Sequence, residues 1–173
     1  MQTVRTVLWQ QFDAALQMLQ GALQAAGDLP DTHALSSEIR RLTFHTLWSL
    51  DRYLSRLDAH RPPAPFDRLD VGEAGVTSAA LYSSAELDGY LTFLHHKAEA
   101  TLARLTDTGT PLPVPQVDEH ADPFELLLYN ARHIKHHTGQ MALLFRQYGA
   151  EPPGWIGKSR RPPAEPGHDG PPT

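Results

Sequence analysis

Apolar residues return every three or four positions in four long stretches of the chain, and no segment alternates convincingly with period two. That period predicts four amphipathic helices and no strands. The first runs from about Thr3 to Ala26, with Leu8, Phe12, Ala15, Leu19 and Leu23 on one face and Gly27 as its stop. The second spans about Ser36 to Leu57 and carries Ile39, Thr43, Thr46, Leu50, Leu54 and Leu57. The third opens on Ser83-Ser84-Ala85-Glu86, which has capping-box spacing, and continues through Leu87, Leu91, Leu94, Ala98, Leu102 and Leu105. In the fourth, Asp122 caps, Pro123 takes the first turn and Glu125 sits three residues on; the helix ends near Tyr148, before Gly149. Four helices of roughly 22–27 residues imply an all-α four-helix bundle.

The connections add topology. A short link joins the first two helices, which favours antiparallel neighbours. The link from Asp58 to Tyr82 contains Pro62, Pro63 and Pro65 and is long enough to cross the bundle and join parallel helices. The stretch Thr106–Ala121, with Pro111, Pro113 and Pro115, is a second long link, and links of this length inside a compact domain are often functional. From Glu151 the chain turns rich in Pro, Gly and charge. The expected division is a bundle over 1–155, with Trp155 as its last anchored residue, and a disordered tail over 156–173.

Composition narrows the function. A chain of 173 residues is expected to form one domain with a proper core. Lys and Arg total 15 against 20 Asp and Glu, a formal charge of −5, which argues against a nucleic-acid binder. No apolar run approaches the roughly 18 residues of a membrane span, and the start lacks a signal-peptide cleavage pattern. A cytoplasmic setting is expected. Cysteine is absent, so disulfides, thiolate ligands and a cysteine nucleophile are excluded. Any metal must be held by nitrogen and oxygen, and ten histidines make nitrogen the natural donor.

The histidines fall in a pattern. His133 and His137, in His133-Ile134-Lys135-His136-His137-Thr138-Gly139-Gln140, are four apart on the fourth helix, so both rings reach one point on the same face. They sit at the edge of a core stripe made by Phe124, Leu127, Ala131, Ile134, Met141 and Phe145, with Asn130 and Gln140 beside them and His136 turned further out. A third ligand must come from elsewhere, and His45 in Leu42-Thr43-Phe44-His45-Thr46-Leu47-Trp48 is the leading candidate. The competing reading makes His45 a hydrogen-bonded interior residue, the i,i+4 pair a product of a His-rich chain, His136 a surface residue, and Asn130 and Gln140 half-exposed polar groups. Trp48 is expected to face away from the core.

The segments Arg41–Trp48 and Asn130–Gln140 together resemble the DinB/YfiT-like superfamily, whose members carry a histidine in the second helix and an HxxHHxGQ string in the fourth. Leu143–Gly149 followed by Pro152-Pro153 is similar to the family's helix end. The resemblance covers roughly residues 3–155 and implies an up-down-down-up bundle. It implies a divalent metal, zinc or nickel among members, on His45, His133 and His137. It also implies a homodimer and a link to stress response. Thr138 departs from the family pattern, where many members carry a basic residue.

Three imidazoles suit zinc, nickel, iron and copper alike and leave a coordination position open, the pattern of catalytic sites. An ion there can lower the pKa of water or stabilise a thiolate. The resemblance points to the second use, a thiol S-transferase acting on a small molecule with a low-molecular-weight thiol such as bacillithiol or mycothiol; a hydrolase is the other enzymatic option. Asn130, Gln140 and His136 are the expected neighbours of the ligands or lining of the pocket, whose walls include the two long links. The string is not a HExxH protease motif, because Ile134 follows His133. Two alternatives stand beside this reading. One is a non-catalytic metal- or ligand-binding bundle. The other is a hemerythrin-like di-iron protein that adds His95 and Glu99 of the third helix.

Overall fold

A computed structural model describes residues 4–30, 33–55, 63, 65–66, 82–103 and 123–162. Four α-helices, α1 (Val4–Gly27), α2 (Ala34–Leu54), α3 (Ser84–Ala103) and α4 (Pro123–Gln147), account for most of them, and no strand occurs among the described residues. None of these helices is long and apolar enough to cross a membrane.

Contacts across the bundle fix its topology. Gln20 Nε2 donates to Asp88 at 2.8 Å, and Asp13 meets His95 at 2.8 Å, so α1 and α3 run in opposite directions. Phe44 stacks on Tyr82, and Tyr90 donates to Asp51 at 2.8 Å, so α2 and α3 run parallel. His45 lies beside His137 and Tyr53 beside Tyr129, so α2 and α4 are antiparallel. The order is therefore up-down-down-up, with the long link after α2 acting as the crossover. Phe66 of that link is buried and stacks on Tyr90 with ring centres 4.3 Å apart.

The expected apolar stripes meet at the centre. Leu19, Leu23, Ile39, Leu47, Leu50, Leu94 and Ile134 are all fully buried, each worth about 1.5–3 kcal/mol relative to exposure. Trp48, expected to face away, is only half-buried and packs against this core, with Arg52 over its ring.

Local chemistry explains the helix ends. At α3 the capping box forms as the sequence predicts: the Glu86 amide donates to Ser83 Oγ and the Ser83 amide to Glu86 Oε2. Gly149 has φ of +73°, and the amides of Gly149 and Ala150 return to the carbonyls of Arg146 and Phe145, which closes α4 in a Schellman turn. The start of α2 differs from expectation. His33 is its cap, with Nδ1 accepting from the Leu35 amide, while Ser36 is buried inside the first turn. Leu57, Leu105 and Asp122 lie outside the described residues.

The chain beyond Trp155 also departs from the expected tail. Trp155 is 75 % exposed and touches α4 through Lys135, whose ammonium lies over its ring. The anchor lies further on. The Ser159 amide donates to the Gln10 carbonyl, and its hydroxyl, 1 % exposed as a residue, donates to Asp13. A polar segment docks here because α1 offers a buried carboxylate for it to satisfy. Residues 163–173 lie outside the described residues.

Candidate metal centre

His45 lies on α2 facing α4, four residues after Arg41 and one helical turn before Ser49. His133 and His137 occupy successive turns of α4 on the side that faces α2. The antiparallel packing of these helices brings the three rings together, with one candidate ligand atom from each lying within 4.8 Å of the others. Ring centres are 4.6 Å apart for His133 and His137, 4.8 Å for His45 and His137, and 5.6 Å for His45 and His133. The planes are steeply inclined to one another, so the nitrogens converge without ring stacking.

Hydrogen bonding sets the tautomer at His137. Its Nδ1 donates to Gln140 Oε1 at 2.8 Å, which leaves the Nε2 lone pair facing inward. That Nε2 stands 3.0 Å from His133 Nε2. Two nitrogens on one ion, with bonds of about 2.0–2.1 Å, lie about 2.9–3.4 Å apart between right-angle and tetrahedral geometry. The observed spacing fits. His133 Nδ1 is buried with no hydrogen-bond partner among the described residues. If Nδ1 carries the proton, two Nε2 lone pairs oppose each other; if Nε2 carries it, Nδ1 is an orphaned acceptor. A cation between the rings removes the opposition in the first case, so the donor set suits a metal ion.

Electrostatics point the same way. Burial depresses the pKa of His133 to about 4, with further lowering from the neighbouring imidazoles of His137, His45 and His136. Burial also lowers His45, assisted by the Arg41 charge. His137 is lowered chiefly by burial, against the opposing bond to Gln140. All three rings are therefore neutral near pH 7, the state in which imidazole binds metal.

Of the three residues expected around the ligands, Gln140 bonds His137. His136 is exposed, with its ring 5.0 Å from that of His137. Asn130 does not bond a histidine: it is fully buried and its Nδ2 donates back to the Leu126 carbonyl at 2.9 Å. The amide nitrogen satisfies its own helix instead.

The sequence reading did not single out Tyr129, which lies nearly parallel to His133 at 6.3 Å and shares a hydrogen bond of 3.3 Å with Tyr53. Its signal was available, since Tyr129 precedes His133 by four residues. Beside His133, a groove of about 630 Å³ runs along α4, lined by Tyr129, Arg132, His136, Ala15 and Trp155 among others. The two long links expected to wall the pocket lie almost wholly outside the described residues.

The di-iron arrangement does not form among the described residues. His95 packs on Trp9 and Asp13 of α1, whereas His133 and His137 turn to His45 on α2, so the two sets make separate groups.

An all-α bundle with three neutral imidazoles gathered between its second and fourth helices defines a protein with a candidate divalent-metal site. The sequence model of the DinB superfamily matches residues 6–141, and the chain belongs to that family. No curated protein and no solved structure matches it with significance.

Proposed function

We propose that this chain binds one divalent metal ion, zinc or nickel by preference, through His45, His133 and His137, and uses it in the S-transfer of a low-molecular-weight thiol to a small electrophilic substrate. The observation that carries the metal reading is the convergence of the three rings, with the His137 tautomer held by Gln140. Three protein ligands leave room for an exogenous one, which is the arrangement of a reactive site. When bound, the ion supplies Lewis acidity that favours deprotonation of an incoming thiol near neutral pH. The thiol must come with the cosubstrate, because the chain contains no cysteine.

The protein's own groups keep the site ready. Burial keeps the imidazoles unprotonated, Gln140 orients His137, and Tyr129 lies parallel beside His133. The DinB membership supports the class of reaction, and the substrate's identity rests with the walls of the cleft.

The test is consumption of small thiols by zinc- or nickel-loaded protein in the presence of an electrophile, followed by loss of free thiol. Turnover that disappears in His137→Ala and persists in His136→Ala is the expected result. Consumption no faster than in protein-free buffer across a broad thiol panel, from protein that does carry metal, would leave a metal-binding bundle without this activity.

A further inference from the structure

A second group of ligating side chains sits on α3, apart from the three-histidine centre. His95, His96 and Glu99 each present a candidate ligand atom, and these atoms lie within 4.8 Å of one another. Glu99 Oε2 stands 3.4 Å from His96 Nδ1 and 3.7 Å from His95 Nδ1. Bonds of about 2.0–2.1 Å at the tetrahedral angle put ligand atoms about 3.3–3.4 Å apart. The carboxylate is therefore already near its coordinating distance from both rings.

The far nitrogen of His95 supplies the independent observation. His95 Nε2 lies 2.8 Å from Asp13 Oδ1, and a carboxylate can only accept, so the ring donates from Nε2; in the neutral ring that turns the Nδ1 lone pair toward Glu99. A histidine whose other nitrogen donates to a buried carboxylate is the usual arrangement behind a metal ligand. Asp13 is fully buried and is itself held by Gln17 at 2.7 Å and by the Ser159 hydroxyl. Trp9 packs edge-on against the His95 ring at 5.2 Å and limits its rotation. Arg161 lies on the Asp13 side, 3.6 Å from Oδ1 and 3.3 Å from His95 Nε2, where its charge offsets that of the carboxylate rather than facing Nδ1.

From this geometry we infer a second metal site, in which His95 Nδ1, His96 Nδ1 and a Glu99 oxygen hold a divalent transition-metal ion such as zinc. Two imidazoles and one carboxylate favour zinc, nickel or copper over magnesium or calcium. The ring of His96 is 64 % exposed, so the ion exchanges readily with solvent and keeps an open position. All three ligands come from α3, and Asp13 ties the site to α1 and to the docked segment around Ser159. Metal binding here stiffens the same contacts that hold that segment down.

The experiment titrates zinc into metal-free full-length protein against a chromogenic chelator. It compares wild type, the double variant His96→Ala with Glu99→Gln, and His137→Ala, with circular dichroism as the check on folding. The double variant alters one exposed and one half-buried residue, so the bundle is expected to remain intact. The expected result is about two equivalents in wild type and about one in each variant. If the double variant loses about one equivalent, the site stands whatever His137→Ala does. If folded double variant binds as much zinc as wild type, the site is refuted, and His137→Ala reports separately on the three-histidine centre.

Discussion

Replacing Asp13 by Ala should destabilise the protein more than any change confined to its surface. Asp13 is fully buried and accepts from Gln17 at 2.7 Å and from His95 at 2.8 Å, and also from the Ser159 hydroxyl. Hydrogen bonds to a charged group contribute about 1.5–3 kcal/mol each, and the desolvation of the carboxylate offsets part of the total. The expected net loss is about 3–5 kcal/mol. For a domain of this size about 2–4 °C of melting temperature accompanies each kcal/mol, so Tm should fall by about 6–20 °C.

The effect carries a pH signature. Burial alone would raise the Asp13 pKa, but the bonds from His95, Ser159 and Gln17, with the His95 charge, outweigh it and hold it below its ordinary value of 3.8. A depressed carboxylate contributes stability in full above its unfolded pKa and loses it as pH falls through the folded one. The gap between wild type and Asp13→Ala should therefore be level above about pH 5 and shrink in stronger acid. Urea denaturation followed by circular dichroism at several pH values measures both quantities. A loss under about 1 kcal/mol at neutral pH, or a gap that widens in acid, would refute the reading of Asp13 as the ionised hub of this network.

Gln140→Leu should weaken metal binding about 10- to 100-fold without unfolding the protein, because it removes the acceptor that sets the His137 tautomer; competition with a chelator measures this. Leu47→Ala, at a fully buried position of α2, should cost about 2–5 kcal/mol in urea denaturation while leaving metal stoichiometry unchanged in the folded protein. Ser159→Ala should be milder than Asp13→Ala, and the double variant should show non-additive losses, since the two groups share one hydrogen bond.

Much of the fold was legible because it rests on periodicity. The leucines at positions 19, 23, 50 and 94 repeat at helical spacing, and they are the residues that pack at the centre. The Ser83–Glu86 box could be read for the same reason, since both of its bonds lie within one turn. The convergence of His45 with His133 and His137 depends on which helices pack together, and spacing alone gave only the α4 pair. His45 could be named only as the leading candidate for the third ring, and the resemblance then implied it as a ligand.

What escaped the reading depends on non-local polar contacts. His33 caps α2 through an imidazole nitrogen, a residue type with little capping signal. Asn130 and Gln140 looked alike on the wheel, yet one bonds its own helix carbonyl and the other a histidine. The docking of Ser159 could not be seen in a Pro- and Gly-rich segment, because its cause is a buried carboxylate 146 residues earlier. Asp13 itself gave no sign of burial, since an acidic residue beside Phe12 reads equally well as the solvated edge of a stripe.

The central claim is that His45, His133 and His137 act together on one ion. Metal analysis of purified, untagged protein, wild type beside His45→Ala and each titrated with zinc, tests it most directly. The account predicts that the variant stays folded and loses about one equivalent of bound metal relative to wild type. Equal metal content in the two proteins would contradict it, and the three rings would then be a packed cluster of neutral histidines rather than a metal centre.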